Sequence, residues 1–385
     1  MPRNIAILLV VCVLFGLALG LYDFVLPFLL DHWHMSFRDM GLVFGIAAIA
    51  MFFARTFIGD LSDRCGRKAF YAAACFVLSA ASGLTPFAPW LALQALLKGL
   101  RDGAFQTFDS MHQLVLHDED RKRYLRYVGV TRGTQYLAEA GGALLGGLAV
   151  ATLAFRPSFA FSSVLFLFAS LVFLTGYRTD RLPSRAGHPL RIGDVFALDL
   201  PRQLWLLTIA NFVFTIGLST SHCFVMQLYW VRRFAEATPT AVSAIMMLHR
   251  VTVTLPLLIG HWLIRSRLKE TYVAFLALEG VVLAVSALIG HFHAAVVVWL
   301  THDLVGAGVW IPIQSAFLQR LSRDGVRGRD VSSSLALASL GGIVGPIIAG
   351  AVFEGWTGGP FVISGLLMVA SAVVLAWLRV PESGE

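Results

Sequence analysis

The side chains able to do chemistry in this 385-residue chain are ionisable groups set inside apolar runs. Asp23 lies in Leu21-Tyr22-Asp23-Phe24-Val25-Leu26-Pro27, with apolar or aromatic neighbours on both sides. Lys98, Arg101 and Asp102 follow one another closely. On a helix Lys98 and Asp102 share a face, and Arg101 lies near it. Arg132 and Glu139 stand in a Gly-rich run, and His222, His249-Arg250 and His302-Asp303 mark the second half. A charge in an apolar medium is costly unless paired or hydrated, so each such residue points to a proton relay or a solute site. Carboxylates and imidazoles suit proton transfer, and histidine titrates near neutral pH. The candidates for proton coupling are therefore Asp23, Asp102, Glu139, His302 and Asp303. Those for holding a small solute are Tyr22, Asp23, Lys98, Arg101, His222, His249 and Arg250. Two cations against one anion at 98–102 leave a positive surplus, suited to an anionic solute or to a salt bridge with Asp23 or Glu139. The same residues also suit a buried charge network that holds helices together.

These groups need elements that live in lipid. The chain is 57% hydrophobic and 14% charged, against about 45–50% and about 25% in a soluble protein. That excludes a soluble globular domain, intrinsic disorder, a nucleic-acid-binding domain and a disulfide scaffold. Cys12, Cys65, Cys75 and Cys223 form no CxxC pair and no metal-ligand spacing. Crossing a bilayer takes about 20 apolar residues. Such runs occur at about 6–30, 39–59, 69–87, 90–116, 126–152, 157–177, 203–230, 240–263, 271–290, 294–318, 331–353 and 359–379. The first resembles a signal peptide at Ala18-Leu19-Gly20, but its apolar character continues to Leu30, which predicts a retained helix. With twelve spans, 21 Lys and Arg fall at the N-terminus, in the even-numbered loops and at the C-terminus, and four fall on the opposite side. This predicts both termini on the cytoplasmic face.

The longest polar connection, 178–202, divides the chain into an N-terminal bundle at 1–177 and a C-terminal bundle at 203–385. The halves repeat. Gly59-Asp60-Leu61-Ser62 is echoed by Gly260-His261-Trp262-Leu263, Gly141-Gly142 by Gly341-Gly342, and Asp102 by Asp303, at offsets of 200 or 201 residues. A duplicated six-helix unit is the pattern of a transporter that alternates access.

Residues 59–68 read Gly-Asp-Leu-Ser-Asp-Arg-Cys-Gly-Arg-Lys. This resembles the G-x-L-x-D-R-x-G-R-K loop of the major facilitator superfamily, at the same place between helices 2 and 3. The resemblance covers the whole chain and implies an all-α integral membrane protein, with twelve transmembrane helices in two pseudo-symmetric six-helix bundles. It implies a conformational latch of Gly59, Asp63, Arg64, Gly66, Arg67 and Lys68. Asp63 would accept charge-assisted hydrogen bonds from Arg67 or from the other half. Gly133, Gly142, Gly146 and Gly147 resemble the family's helix-5 antiporter motif, with Ala143 in place of its proline. They fit an export marker or ordinary helix packing equally well. In the family's helix-4 pattern an Arg precedes a Gly by four residues; here Gly99 fits, Ala95 stands at the Arg place, and Lys98 and Arg101 are nearby.

The resemblance places helices 1, 4, 7 and 10 around a central cavity and helix 9, with Glu279, outside, at a structural, lipid-facing or subunit contact. The expected function is proton-coupled transport of a small organic solute, as an exporter or antiporter. An importer or exchanger of organic anions or metabolites is the alternative, with a sensor or a membrane enzyme behind it. The absence of G-x-x-x-x-G-K-[ST], HExxH and GxSxG signatures speaks against ATP hydrolysis and against an enzyme. No cofactor, metal or nucleic-acid partner is expected. The expected partners are the solute, protons and the bilayer, and the expected form is a monomer in a bacterial inner membrane.

Overall fold

The computed structural model describes residues 2–119, 123–178, 199–263, 267–323 and 327–380. Every regular element among them is helical. In the first half these are α1 (Arg3–His32), α2 (Phe37–Cys65), α3 (Arg67–Leu84), α4 (Leu91–Glu119), α5 (Tyr124–Ala151) and α6 (Phe155–Gly176). In the second half they are α7 (Arg202–Ser221), α8 (Val225–Arg233), α9 (Pro239–Leu263), α10 (Leu268–Ser286), α11 (Phe292–Leu304), α12 (Ala307–Leu321), α13 (Arg327–Ser339), α14 (Gly341–Phe353) and α15 (Gly359–Ala376). A chain in lipid must satisfy its backbone within each segment, which leaves the helix as the form of these apolar runs.

The expected spans correspond to these elements in order, with three differences. The spans read at 203–230, 294–318 and 331–353 are each broken, at 222–224, 305–306 and Leu340. Among the described residues, eight stretches are long and apolar enough to cross a membrane alone: 3–32, 37–57, 67–87, 155–176, 202–221, 292–321, 330–353 and 359–376. Outside that set are the short α8, α9, and the charge-bearing α4, α5 and α10, which carry Lys98, Arg101 and Asp102, Arg132 and Glu139, and Lys269, Glu270 and Glu279.

The chain forms two compact units, Met1–Leu190 with Trp230–Val251 and Arg191–Tyr229 with Thr252–Glu385. They differ from the expected bundles in residues 230–251. Of the expected central loop, 179–198 lies outside the described residues.

In the first unit α5 and α6 pack on α1. Small residues make the α1–α5 crossing close. A Cβ added at Gly16 would meet Ala138 Cβ at 2.8 Å, and one at Gly146 would meet the Phe24 ring at 2.8 Å. Without a hydrophobic force between helices in lipid, such van der Waals fit is what associates them. Behind the crossing the Phe15 and Phe108 rings stack at 3.6 Å and those of Tyr71 and Phe173 at 3.9 Å. Ser36 caps α2, its Oγ accepting from Asp39 N at 3.1 Å. Gly66 closes α2 and opens α3 at φ 93°, a conformation that disfavours side chains with a Cβ. The helix 2–3 motif thus has a backbone reason for that glycine.

In the second unit α7 packs against α14 and α15, and α10 against α15. A Cβ at Gly341 would meet Phe212 O at 2.6 Å, and one at Gly345 would meet Ser219 Cβ at 2.7 Å. The glycines of α14 therefore serve α7 as those of α5 serve α1.

Candidate functional site

The first unit gathers the predicted charges on α1 and α4. Lys98 Nζ lies 2.6 Å from Asp102 Oδ2, and Arg101 Nη1 lies 3.0 Å from Asp102 Oδ1. The other arm of Arg101, Nη2, reaches Asp23 Oδ1 on α1 at 2.8 Å. Two carboxylates and two cations balance, so the positive surplus at 98–102 is offset by Asp23. The Arg101 guanidinium also lies over the Tyr22 ring, 3.9 Å from its centroid, an attraction that strengthens without water. Tyr22 OH shares a hydrogen bond with Thr85 Oγ1 at 3.1 Å, which fixes the ring. Lys98 Nζ sits 4.4 Å from the centre of the Phe44 ring on α2. The Arg101 side chain is 3% exposed and that of Asp23 is 37% exposed. The carboxylate is thus the reachable partner of a buried guanidinium.

A second chain of polar contacts runs along α5. Asp109 on α4 pairs with Arg132, whose Nη1 donates to Gln135 Oε1 at 3.4 Å. Gln135 Nε2 donates to Glu139 Oε1 at 2.9 Å, and Arg250 Nε on α9 lies 3.3 Å from Glu139 Oε2. Glu139 and His249 are buried. Of the helix-5 glycines, Gly142 and Gly146 lie against α1 and Gly147 against Ser243 and Pro239 of α9, while Gly133 faces open space.

At the end of this unit that carries the helix 2–3 motif, Arg67 pairs with Asp118 of α4, and Lys68 Nζ donates to Tyr177 O at 2.8 Å. Tyr177 OH and Asn4 Nδ2 both donate to Glu119 Oε1 at 2.8 Å. These bonds tie α1, α3, α4 and the end of α6 together. Gly59, Asp63 and Arg64 belong to α2, but their surroundings lie outside the described residues.

The second unit gathers His222, His302 and Asp303. His222 caps the C-terminus of α7, and His302 and Asp303 end α11. The two Nε2 atoms are 3.4 Å apart, and His302 Nε2 lies 3.2 Å from Asp303 Oδ1. Thr252 Oγ1 donates to Asp303 Oδ2 at 3.1 Å. Glu279 is not on a lipid-facing surface: it is buried and accepts from Trp310 Nε1. Its helix packs on α12 within the unit, a placement that burial of a carboxylate demands.

Sequence reasoning missed Arg323, which holds Asp330 through Nη2 at 2.8 Å and Nε at 3.0 Å and Asp199 through Nη1 at 2.7 Å. The hydrogen bonds to Asp330 and Asp199 raise the guanidinium pKa above its ordinary value. An acidic residue in the first turn of α13, Asp330, was the available signal.

A sequence model described as Major Facilitator Superfamily matches residues 8–248. The chain is 24% identical over 382 residues to multidrug resistance protein 2 of Bacillus subtilis (strain 168), covering 94% of this chain and 92% of that one. Its fold is similar to that of a point mutant of the nucleoside transporter NupG, with TM-score 0.77, 13% identity, and 97% and 98% of the two chains covered. It is also similar to that of the human organic anion transporter MFSD10, with TM-score 0.72, 15% identity, and 97% and 100% covered. The protein therefore belongs to the Major Facilitator Superfamily, a family of membrane-spanning secondary transporters and not of enzymes.

Proposed function

We propose that the protein is a proton-coupled antiporter that exports small organic solutes, with Asp23 as the coupling carboxylate. The observation that carries this reading is the asymmetry of the Asp23–Arg101 pair, in which the carboxylate is accessible and the guanidinium is not. A proton or an organic cation can then compete with Arg101 for Asp23, and the two exclude one another. That exclusion is the elementary requirement of exchange. When Asp23 is taken, Arg101 keeps Asp102 and the Tyr22 ring, so the buried cation is never left uncompensated. Tyr22 and Phe44 add aromatic faces beside the charges, where an amphipathic cation would bind. The Bacillus subtilis relative, named for multidrug resistance, supports export of such compounds. The glycines of α5 do not decide direction, because Gly142, Gly146 and Gly147 are accounted for by packing. The site would be exposed to each side in turn, in a monomer of a bacterial inner membrane with both termini cytoplasmic. The arginine-bearing end contacts of α3 and α4 would act as the latch.

A second reading, transport of organic anions or metabolites, rests on Arg101, whose Nε finds no hydrogen-bond acceptor among the described residues. A thermal-shift screen of the purified protein in detergent separates the two. A ligand that binds only the folded state raises the melting temperature by mass action. Stabilisation by lipophilic cations, lost in Asp23→Asn, supports the antiporter. Stabilisation by organic anions, lost in Lys98→Ala or Arg101→Ala and kept in Asp23→Asn, replaces it with the second reading.

A further inference from the structure

We propose that the cavity bounded by the starts of α7 and α10 and the end of α15, all in the second unit, binds the headgroup of an anionic phospholipid. Its volume is about 530 Å³. Three cations line it: Arg202 opens α7, Lys269 lies in the first turn of α10, and Arg379 follows α15. No carboxylate lines it. Among the described residues, none of these three side chains is in an ion pair. Arg323 of the same unit shows the contrast, since it holds both Asp330 and Asp199 and has a structural task. Three cations gathered without an acid repel one another, and an anion among them reverses the sign of that interaction.

The walls are held in place. Gln203 Oε1 accepts from Arg379 N at 2.8 Å, which ties the chain beyond α15 to the start of α7. Further along the same pair of helices, Ser371 Oγ of α15 donates to Ala210 O of α7 at 2.7 Å. A Cβ added at Gly280 of α10 would meet Gly365 O of α15 at 2.5 Å, so these two helices approach backbone to backbone. The cations thus stand at helix ends whose mutual placement is set by packing.

The rest of the lining chooses among anions. Leu206, Ala376 and Trp377 give the cavity an apolar side, and Trp377 is 67% exposed. α7 and α15 are long and apolar enough to cross a bilayer, so their ends lie at its boundary with water. An exposed tryptophan there sits at headgroup level. A free phosphate would engage the cations and leave the apolar side unused. A phospholipid engages both: its phosphate accepts from Arg202, Lys269 and Arg379, while its glycerol and first acyl carbons cover Leu206 and Trp377. Basic pockets between the ends of membrane helices suit anionic headgroups for this reason. A zwitterionic headgroup is disfavoured, because the surplus of cations repels its ammonium. This inference concerns other residues than the Asp23–Arg101 reading and stands or falls apart from it.

The test is lipid retention by the full-length protein in detergent, offered phosphatidylglycerol and phosphatidylcholine in equal amounts and read by native mass spectrometry. The expected result is one tightly held phosphatidylglycerol per chain, preferred about tenfold or more, since each cation near the headgroup contributes about fivefold. Arg202→Gln/Lys269→Gln/Arg379→Gln should abolish the preference. Trp377→Ala should weaken retention of both lipids and keep the preference. Arg3→Gln/Arg178→Gln/Arg320→Gln removes three cations outside the cavity and should behave as the wild type does. Equal retention of the two lipids by the wild type overturns the proposal. Equal loss of preference in both triple variants overturns it as well, because net charge and not the cavity would then be responsible. Displacement of the lipid by millimolar inorganic phosphate, or retention untouched by Trp377→Ala, marks a site for free anions and overturns the lipid assignment. Asp23→Asn should leave lipid retention unchanged, which keeps failure of the coupling reading distinct from failure of this one.

Discussion

Tyr22, Arg101 and Asp102 in the first half correspond in sequence to His222, His302 and Asp303 in the second, at offsets of 200, 201 and 201 residues. In both units a side chain of the first helix lies against a side chain of the fourth, with the aspartate next in sequence beside it. The duplicated architecture has kept the meeting point and exchanged the chemistry. In the first unit the partner is a guanidinium, which is always charged and must always be paired. In the second it is an imidazole, which can be neutral or protonated. The helices follow that division. α1 and α4 run unbroken past their ion pairs, whereas the second unit's counterparts break at 222–224 and 305–306, beside the histidines. A permanent ion cluster is fixed by a rigid frame, and an adjustable one sits where backbone carbonyls come free.

Removing the guanidinium should give the largest effect. Arg101→Ala leaves Asp23 and Asp102 without their shared partner and should cost about 3–5 kcal/mol in denaturant unfolding. His302→Ala should cost less, about 1–3 kcal/mol, because its ring has a neutral form. Equal losses would break the contrast between the two sites. The double variant Asp23→Asn/Arg101→Gln should lose less than the sum of its single changes, as groups in direct contact do.

The glycine seams should behave alike rather than differently. Gly146→Val and Gly345→Val overpack equivalent crossings and should each destabilise by about 1–3 kcal/mol. A large effect in one unit alone would deny the repeat its shared packing. Rebuilding the first site in the second sharpens the comparison further. His302→Arg alone should be less stable than His222→Tyr/His302→Arg, by about 0.5–2 kcal/mol, through the regained contact of cation and ring. Arg67→Ala at the partly exposed end of the first unit should cost no more than about 1 kcal/mol, since solvent screens its pair with Asp118. The smallest change is a gain. Gly133→Ala meets open space on a helix and should stabilise by about 0.4–1 kcal/mol, read as a small rise in melting temperature.

Most of the fold was legible because lipid imposes one form on an apolar run. Length, hydropathy and the 59–68 motif were enough to set the order of the elements and the family. The breaks were not legible. Ser221-His222-Cys223-Phe224 and Val305-Gly306 continue their runs without a charge or a proline to interrupt hydropathy. In the site, the Lys98–Asp102 pair followed from helical spacing, which fixes neighbours four residues apart. The Asp23–Arg101 pair depends on a crossing between α1 and α4, 78 residues apart in sequence, and sequence could offer it only as one of two salt bridges. The His222–His302 contact spans 80 residues, so no sequence spacing disclosed it. Of the three settings offered for Glu279, burial against the Trp310 indole selects the structural one, which helix number alone could not do.

The most direct test is solute flux in proteoliposomes, comparing the wild type with Asp23→Asn under an imposed pH gradient and under solute exchange without a gradient. The account predicts that Asp23→Asn keeps solute–solute exchange and loses accumulation driven by the pH gradient. Accumulation that survives in Asp23→Asn at the wild-type level would contradict it, because the proton would then be carried elsewhere.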